Sequence, residues 1–63
     1  MKITILDSML VFNLADEEKY EPILEGARVK WYVKRNYIYV SGAKNVLYDI
    51  LAKLAETYDI DLA

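Results

Sequence analysis

"VKWYVKRNYIYVSG", residues 29–42, places four aromatic side chains and three cations in fourteen positions of an otherwise acidic chain. Two β-rich runs, Val29 to Lys34 and Tyr37 to Ser41, flank Arg35-Asn36, the pattern of a hairpin with a two-residue loop. Asn36 tolerates positive φ well and Arg35 does so only with strain, so the turn fits without being ideal. A two-residue loop sets Lys34 opposite Tyr37, then Val33 opposite Ile38, Tyr32 opposite Tyr39 and Trp31 opposite Val40. In this register Val29, Trp31, Val33, Ile38 and Val40 share one face. Lys30, Tyr32, Lys34, Tyr37, Tyr39 and Ser41 share the other. A three-residue loop pairs Val33 with Tyr37 and mixes the faces, and a one-residue slip moves every side chain across the sheet, so the even loop is the consistent one. Trp31 is then expected in the core with its aliphatic neighbours.

Something must cover that apolar face, and the C-terminal segment supplies it. In "SGAKNVLYDILAKLAETYDIDLA", residues 41–63, Val46, Leu47, Ile50, Leu51, Leu54, Ala55 and Tyr58 recur at the three-four spacing of one helix face. Ser41-Gly42 leads into the helix, and Asp49 and Lys53 are placed for an i,i+4 ion pair. The tail Asp59-Ile60-Asp61-Leu62-Ala63 lacks a further amphipathic turn and is expected to fray or form a short extension.

Upstream, "KITILDSMLVFNL", residues 2–14, alternates apolar and polar side chains at the two-residue period of a strand. Asp7-Ser8 interrupts it as a bulge or a tight turn. A two-residue turn favours glycine, so one long or bent strand is the preferred expectation and a hairpin the alternative. "ADEEKYEPILEG" follows, with Asp16 as N-cap, Glu17 and Glu18 at the positive end of the helix dipole, and Gly26 as a left-handed terminator. Pro22 removes the N–H that would bond to Glu18, so a short broken helix is expected. Tyr20, Ile23 and Leu24 form its inward face.

The fold class expected is α+β over residues 1–63 as one domain. It has a small antiparallel sheet of three strands, or four if the N-terminal segment is a hairpin, with the C-terminal helix packed on one face and the short Pro-broken helix after the first strand. A chain of 63 residues buries only roughly 60% of its unfolded surface, which leaves little net stability without a supplement. The sequence has no Cys and no His, which removes disulfides and leaves only oxygen ligands for a metal. Self-association is the supplement that remains, and a composition 56% apolar supplies surface for it. The N-terminal apolar run is too short for a signal-peptide core or a membrane span, so a cytoplasmic setting is expected.

Charge is segregated along the chain. Residues 1–27 carry two cations and six anions, residues 28–44 carry Arg28, Lys30, Lys34, Arg35 and Lys44 with no acid, and residues 45–63 carry one cation and four anions. Cofactors and catalysis are not indicated. Asp16, Glu17, Glu18 and Glu21 are explained as a cap and a solvated first turn, Asp59 and Asp61 lack a metal-loop pattern, and Gly26 and Gly42 stand alone without a phosphate-binding loop.

The face formed by Lys30, Tyr32, Lys34, Tyr37 and Tyr39, with Arg35 at the tip, is the candidate binding surface. Cross-strand pairing of Tyr32 with Tyr39 and lysine stems over the rings account for it as plain sheet structure. As a functional surface it fits a protein-interaction module, a homodimer that also docks on a larger protein as a small regulator or inhibitor, since aromatic residues anchor interfaces. The alternative is a single-stranded or branched nucleic acid stacked on the tyrosines. The order strand, short helix ending in Glu25-Gly26-Ala27, hairpin with Trp31, then helix resembles the layout of small accessory DNA-binding domains beside some helicase motors. The resemblance spans roughly residues 15–60 and lacks the proline such domains place after the second hairpin strand.

Overall fold

The computed structural model describes residues 1–62. Among these, strand β1 (Lys2–Leu6) and strand β2 (Met9–Asn13) form a hairpin closed by Asp7-Ser8. A 3-10 turn (Leu14–Asp16) leads into helix α1 (Glu17–Glu25). Strands β3 (Lys30–Lys34) and β4 (Tyr37–Ser41) form a second hairpin, followed by helix α2 (Lys44–Thr57) and a two-residue strand β5 (Asp61–Leu62). The described strands form one sheet in the order β3-β4-β2-β1-β5, antiparallel except where β5 runs parallel to β1.

The second hairpin has the expected register throughout, from Lys34 opposite Tyr37 to Lys30 opposite Ser41. In its loop Arg35 takes a positive φ, at 59°. The N-terminal segment is a hairpin, not one long strand. Asp7 adopts φ 40°, a conformation a short polar side chain tolerates, so glycine is not required there. Hairpin formation sets Ile3 opposite Phe12 and Ile5 opposite Leu10, which puts the apolar residues of both halves on one face.

Helix α1 is continuous through Pro22. Pro22 and Glu18 are both exposed, so the carbonyl that Pro22 leaves without a donor faces solvent and the helix survives its loss. Its start is also organised differently from the expectation. Asn13 Oδ1 accepts from the Ala15 N–H at 2.9 Å, and Asp16, instead of capping, pairs with Lys19 at 3.3 Å. Gly26 ends the helix at φ −92°, outside the left-handed region. Helix α2 buries Leu47, Ile50 and Leu54, with Val46, Leu51 and Tyr58 partly buried beside them, while Ala55 is exposed. The Asp49–Lys53 pair forms at 3.1 Å on the exposed side. The tail does not fray through residue 62: the Asp61 N–H donates to the Met1 carbonyl at 2.8 Å and the N-terminal ammonium to the Asp59 carbonyl at 2.6 Å.

Both helices pack on one face of the sheet. The core joins Ile3, Leu10, Phe12, Ile38 and Val40 from the strands to Tyr20 and Leu24 of α1 and to the buried residues of α2. Tyr20 stacks on Phe12 at 4.8 Å between ring centroids. One expected core element is missing: Trp31 and Val33 point to the helix side but remain 47% and 56% exposed. Strand β3 is the outermost strand of the described sheet, and α1 lies too far inward to cover it.

Candidate binding surfaces

The face of the sheet turned away from the helices is a continuous surface with no described helix packed on it. Period-two alternation puts Lys30, Tyr32 and Lys34 of β3 there, with Tyr37, Tyr39 and Ser41 of β4. The five sequence-predicted residues Lys30, Tyr32, Lys34, Tyr37 and Tyr39 therefore share one face, and Arg35 sits at the hairpin tip beside it. Tyr32 and Tyr39 stack across the strands, with centroids 5.0 Å apart and planes 8° from parallel. Arg35 holds its positive φ against a cost of about 1–2 kcal/mol for a residue with a Cβ. The tip is tethered from below by the Leu14 N–H donating to the Asn36 carbonyl at 2.9 Å.

The N-terminal hairpin doubles this surface. Lys2, Thr4 and Leu6 of β1 and Met9, Val11 and Asn13 of β2 point the same way, by the same alternation. Val11 is only 8% exposed although no helix lies over it, because Thr4 and Tyr39 flank it in register. A shallow groove of about 310 Å³ runs across Thr4, Leu6, Val11, Tyr37 and Tyr39. Lys2 of β1 also lines it; strands β2 and β4 contribute no ionisable side chain but the tyrosines, while Lys30 and Lys34 stand on β3 and Asp61 on β5. The basic middle of the sequence does not form one patch. Arg28 lies in a cleft with Asp49 and Lys53 between the helices, and Lys44 lies beside Asp7 near the first turn.

A second surface, unanticipated from sequence, lies on the helix side along β3. A groove of about 220 Å³ has Trp31, Val33 and Ile38 as its floor and Tyr20 and Leu24 as its inner wall. Glu17, Glu21 and Glu25 form its rim, one turn apart on the flank of α1 facing β3. The opposite flank faces α2, where Lys19 Nζ stands 5.5 Å from the Tyr58 ring centre. Repulsion from Glu17 holds the Glu21 carboxyl above its usual range, with partial desolvation and Glu25 adding to it. The buried Tyr20 hydroxyl has no hydrogen-bond partner among the described residues. Burial pushes its pKa up, and Glu17, Asp16 and Glu21 push it further. The sequence signal for this groove was present in the spacing of Glu17, Glu21 and Glu25; the reading as a cap and solvated first turn took in Glu17 and Glu21 and left Glu25 out.

Among the described residues no group of three acidic side chains converges as a metal site would, and no helix is long and apolar enough to cross a membrane. No protein-family model, curated protein or solved structure matches the chain.

Proposed function

We propose that this chain is a non-enzymatic protein-interaction module that forms a homodimer through the outer sheet face and acts in the cytoplasm as a small regulator or inhibitor of a larger protein. One observation carries the reading: the outer face has an uncharged centre on β2 and β4, with tyrosines on β4, and charged side chains to either side, on β3, β1 and β5. That is how interfaces are built, with a desolvated core inside a polar rim. Two such faces pack about 10 Å apart as a sandwich, with Tyr37, Tyr39 and Val11 central and the lysines still in water. Nucleic acid is the alternative occupant, supported by Lys30, Lys34 and Arg35 beside the rings. It ranks second because Tyr32 and Tyr39 spend a ring face on each other and the remaining cations of the basic segment lie elsewhere.

The test is the mass in solution, by light scattering after size exclusion, of the parent and of a Tyr32→Ala, Tyr39→Ala variant. Anchoring aromatics contribute about 2 kcal/mol or more each, so the double change is expected to weaken the dimer by about a hundredfold or more with the circular dichroism spectrum retained. A parent that is monomeric at hundreds of micromolar refutes the homodimer. Saturable anisotropy of a labelled oligonucleotide at low salt, lost in the same variant, favours the alternative.

A further inference from the structure

Strand β3 has one edge that no described strand pairs with. In a two-residue hairpin the closing pair, Lys34 and Tyr37, is hydrogen-bonded, and the alternation that follows directs Lys30 and Tyr32 toward β4 as well. The N–H and C=O groups of Trp31 and Val33 therefore point outward from the sheet. Beside them lies the groove floored by the side chains of the same two residues and rimmed by Glu17, Glu21 and Glu25. A row of free backbone groups, an apolar strip and a line of negative charge run parallel along one edge.

A second copy of this chain does not suit that edge. Antiparallel pairing of β3 with its own copy about Tyr32 sets Lys30 opposite the copy's Lys34 on the outer face. On the helix side it turns two glutamate rims toward each other across the seam. Like charges meet on both faces, a common device against edge-to-edge assembly. The same charges invite a strand of opposite pattern.

We propose that the β3 edge is a docking site for one extended segment of a different, cationic protein, added as a sixth strand. Its inward side chains are Arg or Lys, with their stems over Trp31 and Val33 and their heads at the glutamate rim. Its outward side chains are acidic or neutral, opposite Lys30 and Lys34. Backbone pairing supplies the docking and the alternate side chains supply the selectivity. Trp31 adds a ring face for a guanidinium. The groove lies on the other face from the proposed dimer surface, which the site meets only at Lys30 and Lys34, and the proposal does not rest on that dimer.

Trp31 is the only tryptophan, so its fluorescence reports on this groove alone. The probe is a nine-residue peptide alternating Arg with Thr, with a Glu/Thr peptide of equal length as control. Titration with the Arg peptide is expected to give a saturable blue shift of Trp31 emission, and the amide hydrogens of Trp31 and Val33 are expected to exchange at least tenfold more slowly when it is bound. The triple variant Glu17→Gln, Glu21→Gln, Glu25→Gln is expected to bind at least tenfold more weakly. Val33→Pro, which removes an outward N–H that β4 does not use, is expected to abolish amide protection at Trp31. Equal binding of the Glu peptide, undiminished binding by the triple variant, or binding without protection of the two amides overturns the proposal. A blue shift that grows with protein concentration in the absence of peptide assigns the edge to a second copy and also overturns it. Loss of dimerisation in the Tyr32→Ala, Tyr39→Ala variant bears only on the outer face.

Discussion

Tyr20→Phe is expected to stabilise the fold, although Tyr20 is among the most buried residues. Its ring is 1% exposed and stacked on Phe12, and both features survive the change. What is lost is a hydroxyl that makes no hydrogen bond among the described residues. In the unfolded chain that hydroxyl is hydrated, so burying it unpaired costs about 1–3 kcal/mol. Against this, removing one oxygen forfeits a few packing contacts, about 0.5 kcal/mol. The net gain is about 0.5–2.5 kcal/mol. A domain of this length unfolds with an entropy near 0.13 kcal/mol/K, so each kcal/mol raises Tm by about 7–8 °C. Thermal melts and urea titrations followed by circular dichroism read both quantities, and the urea slope is expected to stay constant. The pH dependence gives an independent check. Burial first, then Glu17, Asp16 and Glu21, raise the Tyr20 pKa in the folded state. Above about pH 10 the unfolded tyrosine has lost its proton while the native one retains it, so the native state binds more protons and stability falls as pH rises. The parent is therefore expected to lose stability above pH 10 faster than the Phe variant, with the two slopes alike below pH 9. A variant destabilised by 1 kcal/mol or more at pH 7, or parallel slopes above pH 10, refutes the reasoning.

Glu21→Gln is expected to raise Tm at pH 7. The Glu21 carboxyl is held above its usual range by Glu17 first, so the protonated form is favoured in the folded state. That contribution is complete below about pH 4 and is lost as pH rises, so the Tm advantage of the variant is expected to shrink on acidification. Arg35→Gly relieves the positive φ at the hairpin tip, a cost of about 1–2 kcal/mol, and adds unfolded-state entropy worth about 0.4–1 kcal/mol. Urea titration is expected to show a net gain of about 0.5–1 kcal/mol, and a loss contradicts it. Trp31→Ala removes a half-exposed ring on the outermost described strand and is expected to cost under about 1.5 kcal/mol in the same assay. Leu54→Ala, at 0% exposed, is expected to cost about 2–5 kcal/mol. Equal costs would place Trp31 in the core after all.

The second hairpin was legible because only one register separates its apolar from its polar side chains. The first carried an equally usable signal in its parity. Ile3 and Ile5 stand at odd positions and Leu10 and Phe12 at even ones, so a regular strand puts the two pairs on opposite faces. A bulge or a turn at Asp7-Ser8 repairs this, and only the turn sets Ile3 against Phe12 and Ile5 against Leu10. The absence of glycine outweighed that evidence wrongly, since Asp7 takes the positive φ itself. The error at Trp31 follows from the same miscount. Register assigns a side chain to a face and says nothing of how far the cover extends. Three strands spaced about 4.8 Å apart are covered by helices about 10 Å wide, but five strands reach about 24 Å across and two helices reach about 20 Å. One margin must stay open, and α1 leaves it at β3. The six outer-face residues were legible as a group, and their neighbours Thr4, Leu6 and Val11 were not, because their face depends on the first hairpin.

Strand β3 thus belongs to both surfaces, with Tyr32 on one face and Trp31 on the other. All five of its residues are exposed, and such a strand, held by one neighbour, is where a small domain opens first. Binding at either face requires β3 to be ordered, so each occupant removes part of the ordering cost that the other would otherwise meet. A partner at a hundred times its Kd stabilises the folded state by about 2.7 kcal/mol, a large share of what a domain this small holds alone. The two surfaces meet at Lys30 and Lys34 and are coupled further, through the order of the strand that carries them.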